Sequence, residues 1–178
     1  NAYYGEDHID WDRLDVKILH MGYILLLPAL DAPDDTYGTK MAKLLKAAKD
    51  HGIKTSIDVV SEASDRFRRL VSPALRYTDY CVINEVEASA TTGIELRTEE
   101  GQLILENFPK ALKAMKDLGV STWAVIHCPE GGFGMDKDGN YGAAANHVFP
   151  FIYRNDECET LRLTAYPNED GTMRIAQE

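Results

Sequence analysis

The chain has 178 residues, 44% hydrophobic and 27% charged, which is enough for one domain with a real core and too little for two of ordinary size. A formal charge of -10 repels a phosphate backbone, so nucleic acid is excluded as the primary partner, while a local basic pocket for phosphate stays open. No apolar run approaches the ~18 residues of a membrane span, and Asn1 to Asp7 lack the basic end and apolar core of a signal peptide.

The three cysteines, Cys81, Cys128 and Cys158, have no metal-type spacing and cannot all pair. They read as reduced thiols, which implies a cytoplasmic protein.

From the amino end, Val16 to Gly22 reads as a short buried strand closed by glycine. Tyr37 to His51 follows as an amphipathic helix, with Met41, Leu44, Leu45 and Ala48 at helical spacing and acidic Asp34 and Asp35 ahead of its amino end. Gly52 stops it, and the β-branched run Ile53 to Val60 is a second strand. Ser64 to Arg76 reads as a helix interrupted near Pro73, Tyr80 to Ile83 as a third strand, and Glu85 to Thr92 as a short helix capped by Gly93. Glu99 to Leu118 is expected as one longer helix ended by Gly119, and Thr122 to His127 as a fourth strand.

Repeated strand–helix–strand units with apolar strands predict an α/β fold: a three-layer, Rossmann-like parallel sheet with right-handed crossovers and helices on both faces. After Gly134 the pattern changes. Asp136 to Asn140 is a turn, Val148 to Tyr153 and Thr160 to Ala165 read as strands, and Asn168 to Gly171 signals a hairpin before Met173 to Ala176. The expectation is a single domain over 1–178, with an α/β core at 14–141 and an antiparallel β tail at 142–178.

Ligands of open parallel sheets bind beyond the carboxyl ends of the strands. That rule selects His20 to Gly22, Asp58 to Glu62, Asn84 to Glu87 and Cys128 to Gly134. Asn84 and Glu87, three apart at a helix start, can organise a hydrated Mg2+ and touch phosphate oxygens. The same spacing makes Asn84 a helix cap and Glu87 its capping-box partner, which by spacing alone is the commoner case. Asp58 closes a strand, where an acid binds a sugar hydroxyl or caps a turn. Cys128-Pro129-Glu130-Gly131-Gly132-Phe133-Gly134 is a glycine-rich loop with room for phosphate, although it has neither the Lys-Ser/Thr of a P-loop nor the G-x-G-x-x-G pattern. His20 and His127 sit at strand ends without a third ligand and read as hydrogen-bonded rim residues. Cys128 has no base partner that would make it a nucleophile.

Taken in order, these segments resemble the PfkB (ribokinase-like) carbohydrate kinase family. Ile57 to Glu62 is similar to its strand ending in aspartate. Thr78-Asp79-Tyr80-Cys81-Val82-Ile83-Asn84-Glu85-Val86-Glu87-Ala88 resembles its N-x-x-E element, followed by Thr92-Gly93. Trp123 to His127 with Glu130-Gly131-Gly132 and Asp138-Gly139 resembles the strand, glycine turn and hairpin that come next. The match covers about 16–141.

The resemblance implies transfer of the γ-phosphate of ATP to a sugar or nucleoside hydroxyl in a cytoplasmic, non-membrane enzyme. Asn84 and Glu87 would place Mg2+ and phosphate, Cys128, Glu130, Gly131 and Gly132 would lie beside the nucleotide, and Asp58 would lie near the phosphate or acceptor. The family's lid and substrate-binding segment do not appear ahead of the matched portion. Its G-A-G-D element, with the anion hole and aspartate base, has no counterpart in 142–178, since Gly142-Ala143-Ala144-Ala145 lacks the acid. The catalytic base is therefore unassigned, and the chain alone is expected to be a poor kinase, either truncated or an inactive ligand-binding relative. The alternating β tail also leaves pairing with a second copy open.

Overall fold

The computed structural model describes residues 3–62, 66–144, 148–154, 160–167 and 173–177. In chain order the elements are β1 (Ile18–Ile24), the helical turn α1 (Pro28–Asp31), the two-residue strands β2 (Pro33–Asp34) and β3 (Gly38–Thr39), α2 (Lys40–Asp50), β4 (Lys54–Val59), α3 (Arg66–Leu75), β5 (Tyr80–Asn84), α4 (Glu85–Thr92), α5 (Phe108–Leu118), β6 (Trp123–Cys128), β7 (Gly131–Met135), β8 (Tyr141–Ala144), β9 (Phe149–Arg154), β10 (Thr160–Pro167) and β11 (Met173–Gln177). One nine-stranded sheet runs β1-β4-β5-β6-β7-β8-β9-β10-β11. Its first four strands are parallel and the rest antiparallel. The α/β class expected from the alternation is present, and the tail strands join the same sheet.

Alternation along the parallel strands decides where the core sits. Met21, Ile57, Cys81, Ile83, Ala124, Ile126 and Phe133 are buried on one face. Their strand neighbours Ile18, Val82 and Trp123 are 51%, 42% and 44% exposed on the other. The helices pack side by side over the buried face, α2 on α3, α3 on α4 and α4 on α5. The second layer of helices expected on the opposite face is not found among the described residues. The strand order explains this. Right-handed crossovers that always step in the same direction leave every helix on one side, and a second layer needs the order to reverse.

Local chemistry sets the helix limits. Thr39 caps α2 by accepting from the Ala42 amide at 3.1 Å. Asp34 does not lie in that first turn; its carboxylate accepts from the Thr36 and Tyr37 amides in a preceding turn. The long helix expected from Glu99 begins only at Phe108. Pro109 favours a helix start and disfavours continuation from before it, so 99–107 forms turns, with an isolated bridge between Arg97 and Leu103. The start of the helix expected at Ser64 and the hairpin at Asn168 to Gly171 lie at least partly outside the described residues, as does Cys158.

Phe108, Leu112 and Met115 of α5 are fully buried, each contributing about 1.5–3 kcal/mol of burial free energy. The Phe108 ring stacks on Phe133 with centroids 3.9 Å apart, joining α5 to the first antiparallel strand. Gly119, with φ +129, ends α5 against the end of α3, where an added Cβ would stand 2.5 Å from the Arg76 Cα.

Candidate functional site

The carboxyl ends of β4, β5 and β6 stand at one edge of the sheet because the three strands are parallel neighbours. β4 and β5 pair only through Ser56–Tyr80 and Ile57–Cys81, so beyond that level the two strands lose their ladder. β5 and β6 stay paired to their ends, where Asn84 is opposite His127, and His127 in turn is opposite Gly132 of β7. Asn84, His127 and Gly132 thus form one row across three strands.

The gap between β4 and β5 is bridged by Ser61, just after β4. Its hydroxyl donates to Glu87 Oε1 at 2.8 Å and accepts from Asn84 Nδ2 at 2.8 Å. Asn84 and Glu87 also form the complete capping box of α4. The Glu87 amide donates to Asn84 Oδ1 and the Asn84 amide to Glu87 Oε2, both at 2.9 Å. The capping geometry and the convergence on one rim therefore coexist. Glu87 is only 4% exposed, and each of its carboxylate oxygens accepts one hydrogen bond, leaving further lone pairs for metal-bound water.

The glycine-rich segment differs from the loop expected at Cys128 to Gly134. Gly131 to Met135 is a strand paired with β6, so only Pro129 and Glu130 make the turn. Gly134 lets the Trp123 ring lie close over that strand, where an added Cβ would stand 3.3 Å from it. The Cys128 thiol donates to the Gly131 carbonyl at 3.3 Å, and burial raises its pKa, so it is no poised thiolate.

Asp58 is the next-to-last residue of β4, and its Oδ1 accepts from the following Val59 amide at 2.8 Å. It lies beside His20 and Gly22: a Cβ on Gly22 would be 3.3 Å from His20 Nε2 and 3.7 Å from the Asp58 Cβ. His20 is held by Ser56 at 3.0 Å. No group of three or more His, Cys, Asp or Glu residues suited to a metal is present among the described residues.

Glu130 is bound by Arg97 in a two-pronged ion pair, with NH1 to Oε1 at 2.8 Å and NH2 to Oε2 at 2.7 Å. The guanidinium also reaches Glu85 Oε1 and the Gly101 carbonyl at 2.8 and 2.7 Å. Arg97 holds the Glu130 carboxyl down at about 2. Sequence reading named Glu130 but missed Ser61, Glu85 and Arg97. Ser61 lay inside the segment chosen as a strand end, whereas nothing in the spacing of Arg97 points across 33 residues to its partner.

No protein-family model and no curated protein matches the chain. Among solved structures, its fold is that of the PfkB, ribokinase-like kinases. A PfkB protein from Polaromonas sp. JS666 aligns with a TM-score of 0.58 at 19% identity, over 83% of this chain and 47% of its own. A Bacillus subtilis pyridoxal kinase, solved as an ADP complex, aligns at 0.53 and 19% identity over 75% and 48%. Thermotoga maritima 2-dehydro-3-deoxygluconokinase aligns at 0.53 and 13% identity over 99% and 46%. The chain spans less than half the length of each of these structures.

Proposed function

We propose that this chain carries the nucleotide-phosphate side of an ATP-dependent phosphotransferase acting on a sugar or related hydroxyl compound in the cytoplasm. The observation that carries the reading is the junction of Ser61, Asn84 and Glu87 at the strand ends, beside the amino end of α4. Support for the reaction class comes from the kinase fold, and for the nucleotide from the neighbouring pyridoxal kinase solved with ADP.

Asn84 Oδ1 and the Glu87 carboxylate form an oxygen acceptor set of the kind that would hold Mg2+ through its waters, since Mg2+ keeps several of them. Mg2+ held there by Asn84 and Glu87 would supply positive charge against the phosphate oxygens. Ser61 orients the Glu87 carboxylate. The free amides at the start of α4 favour phosphate oxygens, and the backbone at Cys128, Gly131 and Gly132 lines the neighbouring strand end. In this reading Glu130 acts through its backbone, because its carboxylate is taken by Arg97. Asp58 faces the acceptor side. The reading assigns no catalytic base. Catalysis by these residues is positioning and charge neutralisation.

Calorimetric titration with ADP, with and without Mg2+, tests this. Binding should require Mg2+, and Asn84→Ala or Glu87→Gln should each weaken it at least about tenfold, the loss of one charge-assisted contact. Mg2+-independent binding, or affinity unchanged in both variants, overturns the assignment.

A further inference from the structure

Arg97 lies in the connection between α4 and α5, outside every segment selected by the strand-end rule. Its side chain is 23% exposed, yet it reaches three separate pieces of chain. Nε donates to Glu85 in the first turn of α4, NH1 to the Gly101 carbonyl in its own turn, and NH1 and NH2 both to Glu130 in the turn between β6 and β7. NH2 also lies 2.8 Å from Glu85 Oε1. A guanidinium has five N–H groups in a fixed planar fork, and these contacts engage that fork on all sides. Arg97 therefore has no donor left for a ligand phosphate. Its role is to hold other groups.

The held groups are informative. Glu85 is the first residue of α4, adjacent to Asn84, and is itself only 8% exposed. Glu130 is one of two residues making the turn that leads into Gly131 and Gly132. Without Arg97, two carboxylates would face each other across this part of the rim, Glu85 with most of its water already removed.

We propose that Arg97 is a positioning residue, which docks the β6–β7 turn onto the amino end of α4 and so fixes the Glu130–Gly132 backbone relative to Asn84. A lysine would keep the charge but lose the fork, because a single ammonium cannot meet both Glu130 oxygens and Glu85 in one plane. The conservative exchange should therefore rescue only part of the effect, which simple charge balance would not predict.

Hydrogen exchange on the complete chain, without nucleotide, reads the docking directly. In Arg97→Met, exchange of the Glu130 to Gly132 amides should accelerate at least tenfold while β4 amides keep their wild-type rates. Arg97→Lys should fall between the two, and Glu130→Gln, which leaves the Glu85 pair intact, should reproduce the local acceleration. If Arg97→Met does not fold, Glu130→Gln alone decides. Equal acceleration throughout the sheet, full rescue by lysine, or no change at the turn overturns the proposal. MgADP affinity is a second readout that rests on the function proposed above, with an expected tenfold loss in Arg97→Met and a smaller one in Arg97→Lys. Wild-type protein that binds no MgADP while the turn still loosens would remove the nucleotide reading and leave the docking role standing.

Discussion

At the residue scale, a buried acid and an exposed hydroxyl do different work. Asp79 is 1% exposed at the amino end of β5, opposite the rim. Burial alone would raise its pKa. Hydrogen bonds from the Thr55 amide, Ser121, Lys49 and Lys54 outweigh that and hold it well below the ordinary carboxylate range. Because the folded pKa is depressed, this group contributes stability above its unfolded value of about 3.9, and the contribution is lost as pH falls through the folded value. Asp79→Asn should lower stability by about 1–3 kcal/mol at pH 7, since it removes the charge from a buried carboxylate bonded to the Thr55 amide and to two partly exposed lysines, and by less near pH 2. Urea unfolding at the two pH values measures both. Equal losses at pH 7 and pH 2 would show that the charge is not what matters. Ser61, by contrast, is an exposed hydroxyl whose partners keep their capping bonds without it. Ser61→Ala should cost only about 0.5–1.5 kcal/mol of stability, while weakening MgADP binding.

At the scale of elements, alternation in the parallel strands makes a paired prediction. Ile83 points into the core and Val82, its neighbour, away from it. Ile83→Ala should cost about 2–5 kcal/mol and Val82→Ala under about 1 kcal/mol, as read from denaturation midpoints. Comparable losses would mean that the second face is covered as well. Gly119→Ala should be among the most damaging single changes, about 3 kcal/mol or more, because both its positive φ and the backbone of Arg76 and Leu75 oppose a Cβ.

The same scale shows what could be read from sequence. β4 and α2 sit close to where their apolar spacing and the Gly52 stop put them, and α4 where the Asn84 cap and the Gly93 stop put it. The helix start at Phe108 was misplaced because Leu103 and Leu105 continue the apolar period, and only the proline rule resists it. The glycine segment reads as a loop because glycine disfavours strands, yet Gly131 to Met135 pairs with β6 and Gly134 leaves room for the Trp123 ring beside it. Within the site, Asn84 and Glu87 were legible from their three-residue spacing. Ser61 and Arg97 act through tertiary contacts across 23 and 33 residues, which no local pattern records.

At the scale of the molecule, four parallel strands stepping in one direction make a sheet with one helical face and one rim, and the antiparallel strands extend it sideways. The rim collects Ser61, Asn84 and Glu87 with the turn held by Arg97, whereas the opposite edge carries Asp79 and its lysines. On the function proposed above, one end of the sheet would take the ligand while the other contributes stability. Mapping of amide chemical shifts during titration with MgADP tests that division most directly. Shifts should concentrate at 58–62, 84–88 and 128–132 and leave Thr55, Asp79 and Ser121 unmoved. Perturbations centred on the Asp79 edge or on β9 to β11, with the three rim segments silent, would contradict it.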